Sequence, residues 1–183
     1  MLRQPINPLE RSAQHLVHQN SEINSDLWGP SPVQTPGKKE YYAAFTDDHM
    51  RWSHLELLHT KDEVFKAYTD FEAWAKTQFR VNSFQRLRTD CRGEYLSNKF
   101  NDYLAANGTK WLLTTHDTSE YNGISQRLNR VLLERTRAFL HSSGLPKFLW
   151  GEAVKHAIWL KNRMPTRALP ISKTPFNALW QEA

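Results

Sequence analysis

Three polar residues stand where strand or helix segments of the sequence begin or end. Asp26 closes an apolar segment in INSDLWGP, Asp90 closes another in RLRTDCRGEY, and Gln126 lies in the first turn of a helical pattern in NGISQRLNR. Carboxylates at the ends of adjacent strands can converge on one edge of a sheet. There they offer the hard oxygen donors that Mg²⁺ takes in octahedral geometry. Two such ions about 3.5–4 Å apart hold the attacking and leaving oxygens of a phosphodiester exchange. Taken locally, each aspartate also suits a plainer role. Asp26 precedes Gly29-Pro30 and Asp90 precedes Gly93, and aspartate is a good turn acceptor in such places.

Other reactive residue types carry less. Asp47 and Asp48 follow a strand-like segment, where a structural role at the strand end is the expectation. His15 and His18 have ligand-like spacing, but Cys91 is the single cysteine, so a zinc module with a cysteine pair is excluded. Cys91 has no His/Asn partner pattern that would make it a nucleophile, and a lone cysteine also excludes internal disulfides.

The elements that must position these residues can be read from periodicity and punctuation. Strands are expected at Ile23 to Leu27, Tyr41 to Thr46, His54 to His59, Ser83 to Asp90 and Lys110 to Thr115. A helix is expected from Lys61 to Phe79, with Val64, Tyr68, Phe71 and Ala75 on one stripe. Ser97 is the expected N-cap of a second helix ending at Gly108. A third is expected to start near Gly123 and to close at Gly144-Leu145-Pro146, a fourth to run from Phe148 to Arg163, and a last to start at Pro175. This order predicts an α/β domain with a mixed five-stranded sheet and helices on both faces.

Residues 1–20 lack apolar periodicity and read as a mobile arm, which leaves 21–183 as one domain. Seven Trp, nine Phe and six Tyr supply enough large apolar side chains to exclude a disordered chain. No apolar run approaches the roughly 18 residues that cross a membrane, and the first residues lack a signal-peptide core. No membrane partner is expected, and an intracellular location is. Residues 1–120 hold 14 Lys/Arg and 16 Asp/Glu (14 − 16 = −2), whereas residues 121–183 hold 10 and 3 (10 − 3 = +7). A basic C-terminal third suits a polyanion, although a merely solvated basic face has the same composition.

Several stretches, in order and spacing, carry a resemblance to a known family. They are SDLWGP, FTDDHMRW, RTDCRGEY, HDTSEYNG, NGISQRLNRVLLERTRAFLHSSGLPKFLWGEAV, KNRMPTRAL and KTPFNALW. From about Ile23 to Glu182 the sequence resembles the integrase catalytic core of copia-type retrotransposons, which has a ribonuclease-H-like fold. The resemblance implies a metal site for Mg²⁺ or Mn²⁺ built from Asp26, Asp90 and a glutamate at position 126. The family separates its last two acids by thirty-five residues, and the same number lies between Asp90 and position 126 here. It also implies DNA as partner, RNA as a further nucleic acid, a homo-oligomer, and a place in the nucleus.

The departure from the family pattern is at Gln126. An amide oxygen still reaches a metal, but it brings no negative charge and a single strong acceptor atom. Glu134 is eight residues on, about 12 Å along a helix, and does not replace it. The family's Asn-Gly after the second aspartate is Cys91-Arg92 here. Weak or absent strand transfer is therefore expected, with a non-catalytic nucleic-acid-binding domain or a decayed transposon remnant as the alternative. On the helix from Gly123, positions 126, 129, 130, 133 and 137 share a face. Asn129, Arg130 and Arg137 are the expected nucleic-acid contacts, acting on phosphates rather than bases.

Overall fold

In the computed structural model the described residues are 22–79, 84–90, 97–114, 119–170 and 172–180. The expected arm at 1–20 lies outside them. Alternating apolar residues build five strands: β1 (Glu22–Trp28), β2 (Tyr41–Asp47), β3 (Ser53–Leu58), β4 (Arg86–Asp90) and β5 (Lys110–Thr114). Strand order is β3-β2-β1-β4-β5. The first three form an antiparallel meander, and β4 and β5 then add in parallel beside β1. The expected mixed sheet is therefore present.

The helices are α1 (Val64–Phe79), α2 (Asn98–Ala106), α3 (Ser119–Ser143), α4 (Trp150–Arg163) and α5 (Pro175–Trp180). Because strand residues alternate between faces, neighbouring residues of β2 serve different cores. Ala43 and Phe45 pack with Tyr68 and Phe71 of α1 and with Phe100 and Leu104 of α2. Tyr42 and Ala44 pack on the other side with Leu132 of α3 and Val154 and Ala157 of α4. On the first face Phe45 stacks on Phe71 at 4.9 Å with planes 5° apart, a contact that adds to the burial of both rings.

Local signals account for most boundaries. Ser97 caps α2 by accepting from the Phe100 amide, and Gly108 and Gly144 end α2 and α3 with φ of 68° and 65°. The start of α3 differs from expectation. Asn122-Gly123 reads as a helix start, yet the helix begins at Ser119 and carries Gly123 inside it. The Arg127 side chain returns to the Gly123 carbonyl at 2.7 Å, so a residue that costs about 1 kcal/mol in a helix interior is tolerated there. Gln126 consequently lies in the second turn of the helix, not the first.

Gly151 sets how closely α4 approaches the sheet. A Cβ there would stand 2.8 Å from Thr35 Cγ2 and 2.9 Å from Leu57 Cδ1. The Gly151→Ala variant is expected to lose about 1–3 kcal/mol of unfolding free energy in urea, with an unchanged denaturant slope. Full wild-type stability in that variant would show that the contact relaxes freely.

Candidate active site

Asp26 sits in β1 opposite Ala44 of β2, on the sheet face that α3 and α4 cover. Its carboxylate is half-buried and takes a hydrogen bond at Oδ2 from Asn129 Nδ2 of α3, at 2.8 Å. The other end of the Asn129 amide accepts from the Tyr42 hydroxyl at 3.0 Å. The chemistry fixes the orientation of this amide. A carboxylate only accepts, so the NH₂ end must face Asp26, which leaves the oxygen to Tyr42. Burial, and then the nearby Asp26 charge, raise the Tyr42 phenol far above its ordinary range, so it stays a neutral donor. Tyr42 is itself held by Trp28, stacked at 5.2 Å, and is fully buried.

Asp90 ends β4. Asn24 of β1 pairs with Arg88 of β4, so Asp26 and Asp90 each stand two residues beyond that rung on neighbouring parallel strands. The side chain of Asp90 lies outside the described residues. Gln126 is exposed and precedes Asn129 by one turn, on the same side of α3 by the three-residue rule. Around this edge the available donors are carboxylate and amide oxygens, the hard ligand set that Mg²⁺ and Mn²⁺ accept.

No family model matches the chain. It is 36% identical over 144 residues to the Retrovirus-related Pol polyprotein from transposon TNT 1-94 of Nicotiana tabacum, covering 79% of this chain. The chain is related to a segment of a retrotransposon Pol polyprotein. It is also 30% identical over 165 residues to the Transposon Ty1-DR6 Gag-Pol polyprotein of Saccharomyces cerevisiae, and 30% over 158 residues to the Pol polyprotein from transposon RE2 of Arabidopsis thaliana. Each match covers 86% of this chain. The chain spans only 11%, 9% and 10% of these three relatives. Its fold is that of the HTLV-2 integrase catalytic core domain in complex with magnesium, trimeric form. That likeness has a TM-score of 0.63 at 15% identity, over 87% of this chain and 95% of the other. The simian T-cell lymphotropic virus intasome in complex with PP2A regulatory subunit B56 gamma gives 0.67 at 14%, over 90% of this chain and 55% of that one. The chain thus has the fold of an integrase catalytic core and shares sequence with a segment of retrotransposon Pol polyproteins.

Within this fold the expected nucleic-acid face of α3 divides. Gln126, Arg130 and Arg137 are exposed, whereas Leu133 packs into the core beside Leu132. Asn129 departs from the expectation of a phosphate contact. Both ends of its amide are used inside the protein, because Asp26 needs a donor on the covered face of the sheet. Asp47 is a turn acceptor, taking the amides of His49 at 2.9 Å and Met50 at 2.6 Å, and Asp48 pairs with Arg51 at 3.2 Å. Sequence reasoning missed Tyr42. Its signal is weak, since an aromatic in a β-strand usually reports packing alone.

Tyr42→Phe removes the donor to Asn129 Oδ1 and is expected to cost about 1 kcal/mol of stability near neutral pH. The pH dependence has a definite sign. Folded Tyr42 resists ionisation, so its contribution is complete below the ordinary value of 10.0 and is lost as pH rises above it. Thermal unfolding scanned from pH 8 to 11 should therefore fall less steeply in Tyr42→Phe. Parallel curves for the two proteins would contradict the buried, neutral phenol.

Proposed function

We propose that this domain binds DNA along α3 and holds Mg²⁺ or Mn²⁺ through Asp26 and Asp90, with Gln126 in the third ligand position. The observation that carries this reading is the bond from Asn129 to Asp26, which joins the strand carrying one acid to the helix carrying position 126. The donor set fits a hard divalent ion, which when bound supplies charge stabilisation to the oxygens of a phosphodiester exchange. The chain's own residues supply the rest. Asn129 holds the Asp26 carboxylate in one orientation, and Tyr42 holds Asn129. Arg130 and Arg137 offer exposed guanidinium groups for backbone phosphates, about one helical turn and three turns beyond Gln126.

Gln126 leaves that site one negative charge short of the family pattern, so DNA joining is weak or lost while DNA binding persists. Nucleic-acid binding through backbone phosphates does not distinguish DNA from RNA, and RNA is an additional partner on this reading. The related viral core is described in trimeric and dimeric forms, and we extend a homo-oligomer to this chain. A DNA-joining role places it in the nucleus.

The test is reversion. Gln126→Glu restores the missing charge and the second oxygen, and Mg²⁺- or Mn²⁺-dependent nicking or joining is expected to appear or strengthen, then vanish on adding Asp90→Asn. A silent revertant is retested with Asn-Gly at 91 and 92, because that pair also departs from the family. Efficient joining by the unmodified protein would overturn the claim of impaired chemistry. In parallel, removing Arg130 and Arg137 should make the log affinity against log salt slope for duplex DNA shallower by about 2, one per phosphate contact. An unchanged slope would place the DNA surface elsewhere.

A further inference from the structure

On the flank of α3 away from Arg137 lies a cleft of about 440 Å³ that the site described above does not use. Its polar lining is Thr46 of β2, Arg51 of the β2–β3 turn, Arg127 of α3, Lys161 of α4 and Thr166. Among the described residues no carboxylate lines it. Three cationic residues thus border one concavity with no acid among its described lining, Arg51 being paired with Asp48 outside it, and this arrangement favours an anion in the cleft.

The individual side chains show the same deficit. Lys161 Nζ donates to the Arg51 carbonyl and, at 2.6 Å, to Ser53 Oγ, which leaves one of its three protons with no acceptor among the described residues. Ser53 Oγ in turn shares a hydrogen bond of 2.8 Å with Thr46 Oγ1, so the ammonium and both hydroxyls form one chain at the cleft wall. Arg51 meets Asp48 at the rim through Nη1, yet its Nε is buried with no partner among the described residues. Arg127 uses Nε on the Gly123 carbonyl and is otherwise exposed. Burial and then the Arg51 charge pull the Lys161 ammonium down to about 7, with Asp47 acting in the opposite sense. A bound anion would offset that repulsion.

The position of the cleft identifies the anion. Thr46 pairs with Asn24, two residues before Asp26 on β1, and Arg127 follows Gln126 directly. A polyanionic strand that crosses the Asp26 edge reaches this cleft on one flank of α3 and Arg137 on the other. We propose that the cleft between α3, α4 and the β2–β3 turn is a phosphate site, formed by Arg51, Arg127, Lys161 and the Thr46 hydroxyl, that holds a backbone phosphate of the bound nucleic-acid strand. The nucleic-acid source of that phosphate rests on the function proposed above. The anion site itself rests on the cleft alone.

Two measurements on the full chain test it. First, Arg127→Ala removes an exposed residue without disturbing the core. It is expected to lower the salt slope of duplex DNA binding by about 1, and by the same amount in the Arg130/Arg137 variant. Second, the Lys161 Nζ resonance, assigned with Lys161→Met, should titrate near 7 in the free protein. It should shift upward by about one pH unit or more on adding either inorganic phosphate or a short duplex. Among the described residues, the charged groups near Lys161 during this titration are Arg51 from the β2–β3 turn, Asp47 at the end of β2 and Arg127 from α3. If Lys161→Met does not fold, the resonance most displaced by Arg127→Ala serves as the reporter. An unchanged slope in Arg127→Ala, with a Lys161 signal that neither probe moves, would overturn the proposal. A signal moved by inorganic phosphate while the duplex binds without moving it would overturn the strand as the source. A signal moved by inorganic phosphate in a protein that binds no duplex would uphold the anion site and sink the DNA-binding reading instead.

Discussion

A carboxylate on the covered face of a sheet has to be given a hydrogen-bond donor, or it pays the cost of leaving water unpaired. Asp26 is in that position. One donor is the Asn129 amide, whose oxygen end accepts in turn from the Tyr42 hydroxyl. Two strands and one helix are thereby tied at a single point. Since α3 is a continuous helix, fixing Asn129 against Asp26 also fixes the turn that carries Gln126 and the exposed Arg130 beside it. On the function proposed above, glutamine at 126 changes the charge of a site whose supporting contacts, Asn129 on Asp26 and Tyr42 on Asn129, are in place.

The same constraint explains why the two cores are so different. The face under α1 and α2 is filled mainly by aromatic and aliphatic side chains, with Phe45, Tyr68, Phe71 and Phe100 in a chain of ring contacts and Glu72 buried beside them on the Tyr103 hydroxyl. The face under α3 and α4 begins in the same way, with Trp28, Tyr42 and Trp150 packed together, but it ends in polar groups toward Asp26 and Ser53. Several polar residues on that face are bonded side chain to side chain or to backbone. Asn162, for example, binds both the amide and the carbonyl of Ser53. One face serves stability, and the other trades apolar contact for positioned oxygen and nitrogen atoms.

Much of this was legible in the sequence, for identifiable reasons. Period-two and period-3.6 patterns located the five strands and five helices, and Ser97, Gly108, Gly144 and Pro175 marked ends where they stand. The start of α3 was not legible, because Asn122-Gly123 imitates a helix boundary and the compensating Arg127 contact is invisible without coordinates. The strand-end positions of Asp26 and Asp90 suggested neighbouring strands, and β1 and β4 do pair in parallel. The helical-face rule, by contrast, grouped Asn129 with the arginines, since it registers which residues share a side and not which of them face the sheet. Lys161 and Arg51 are more than a hundred residues apart, and no local pattern announces their meeting.

Asp26 and Asn129 are joined by a hydrogen bond, and their coupling seats α3 on the sheet. A double-mutant cycle with Asp26→Ala, Asn129→Ala and the double variant, followed by urea unfolding, measures that coupling directly. The account predicts a coupling energy of at least about 1 kcal/mol, as for a hydrogen bond to a charged acceptor. Strictly additive effects would show that the two side chains act independently, and would contradict the claim.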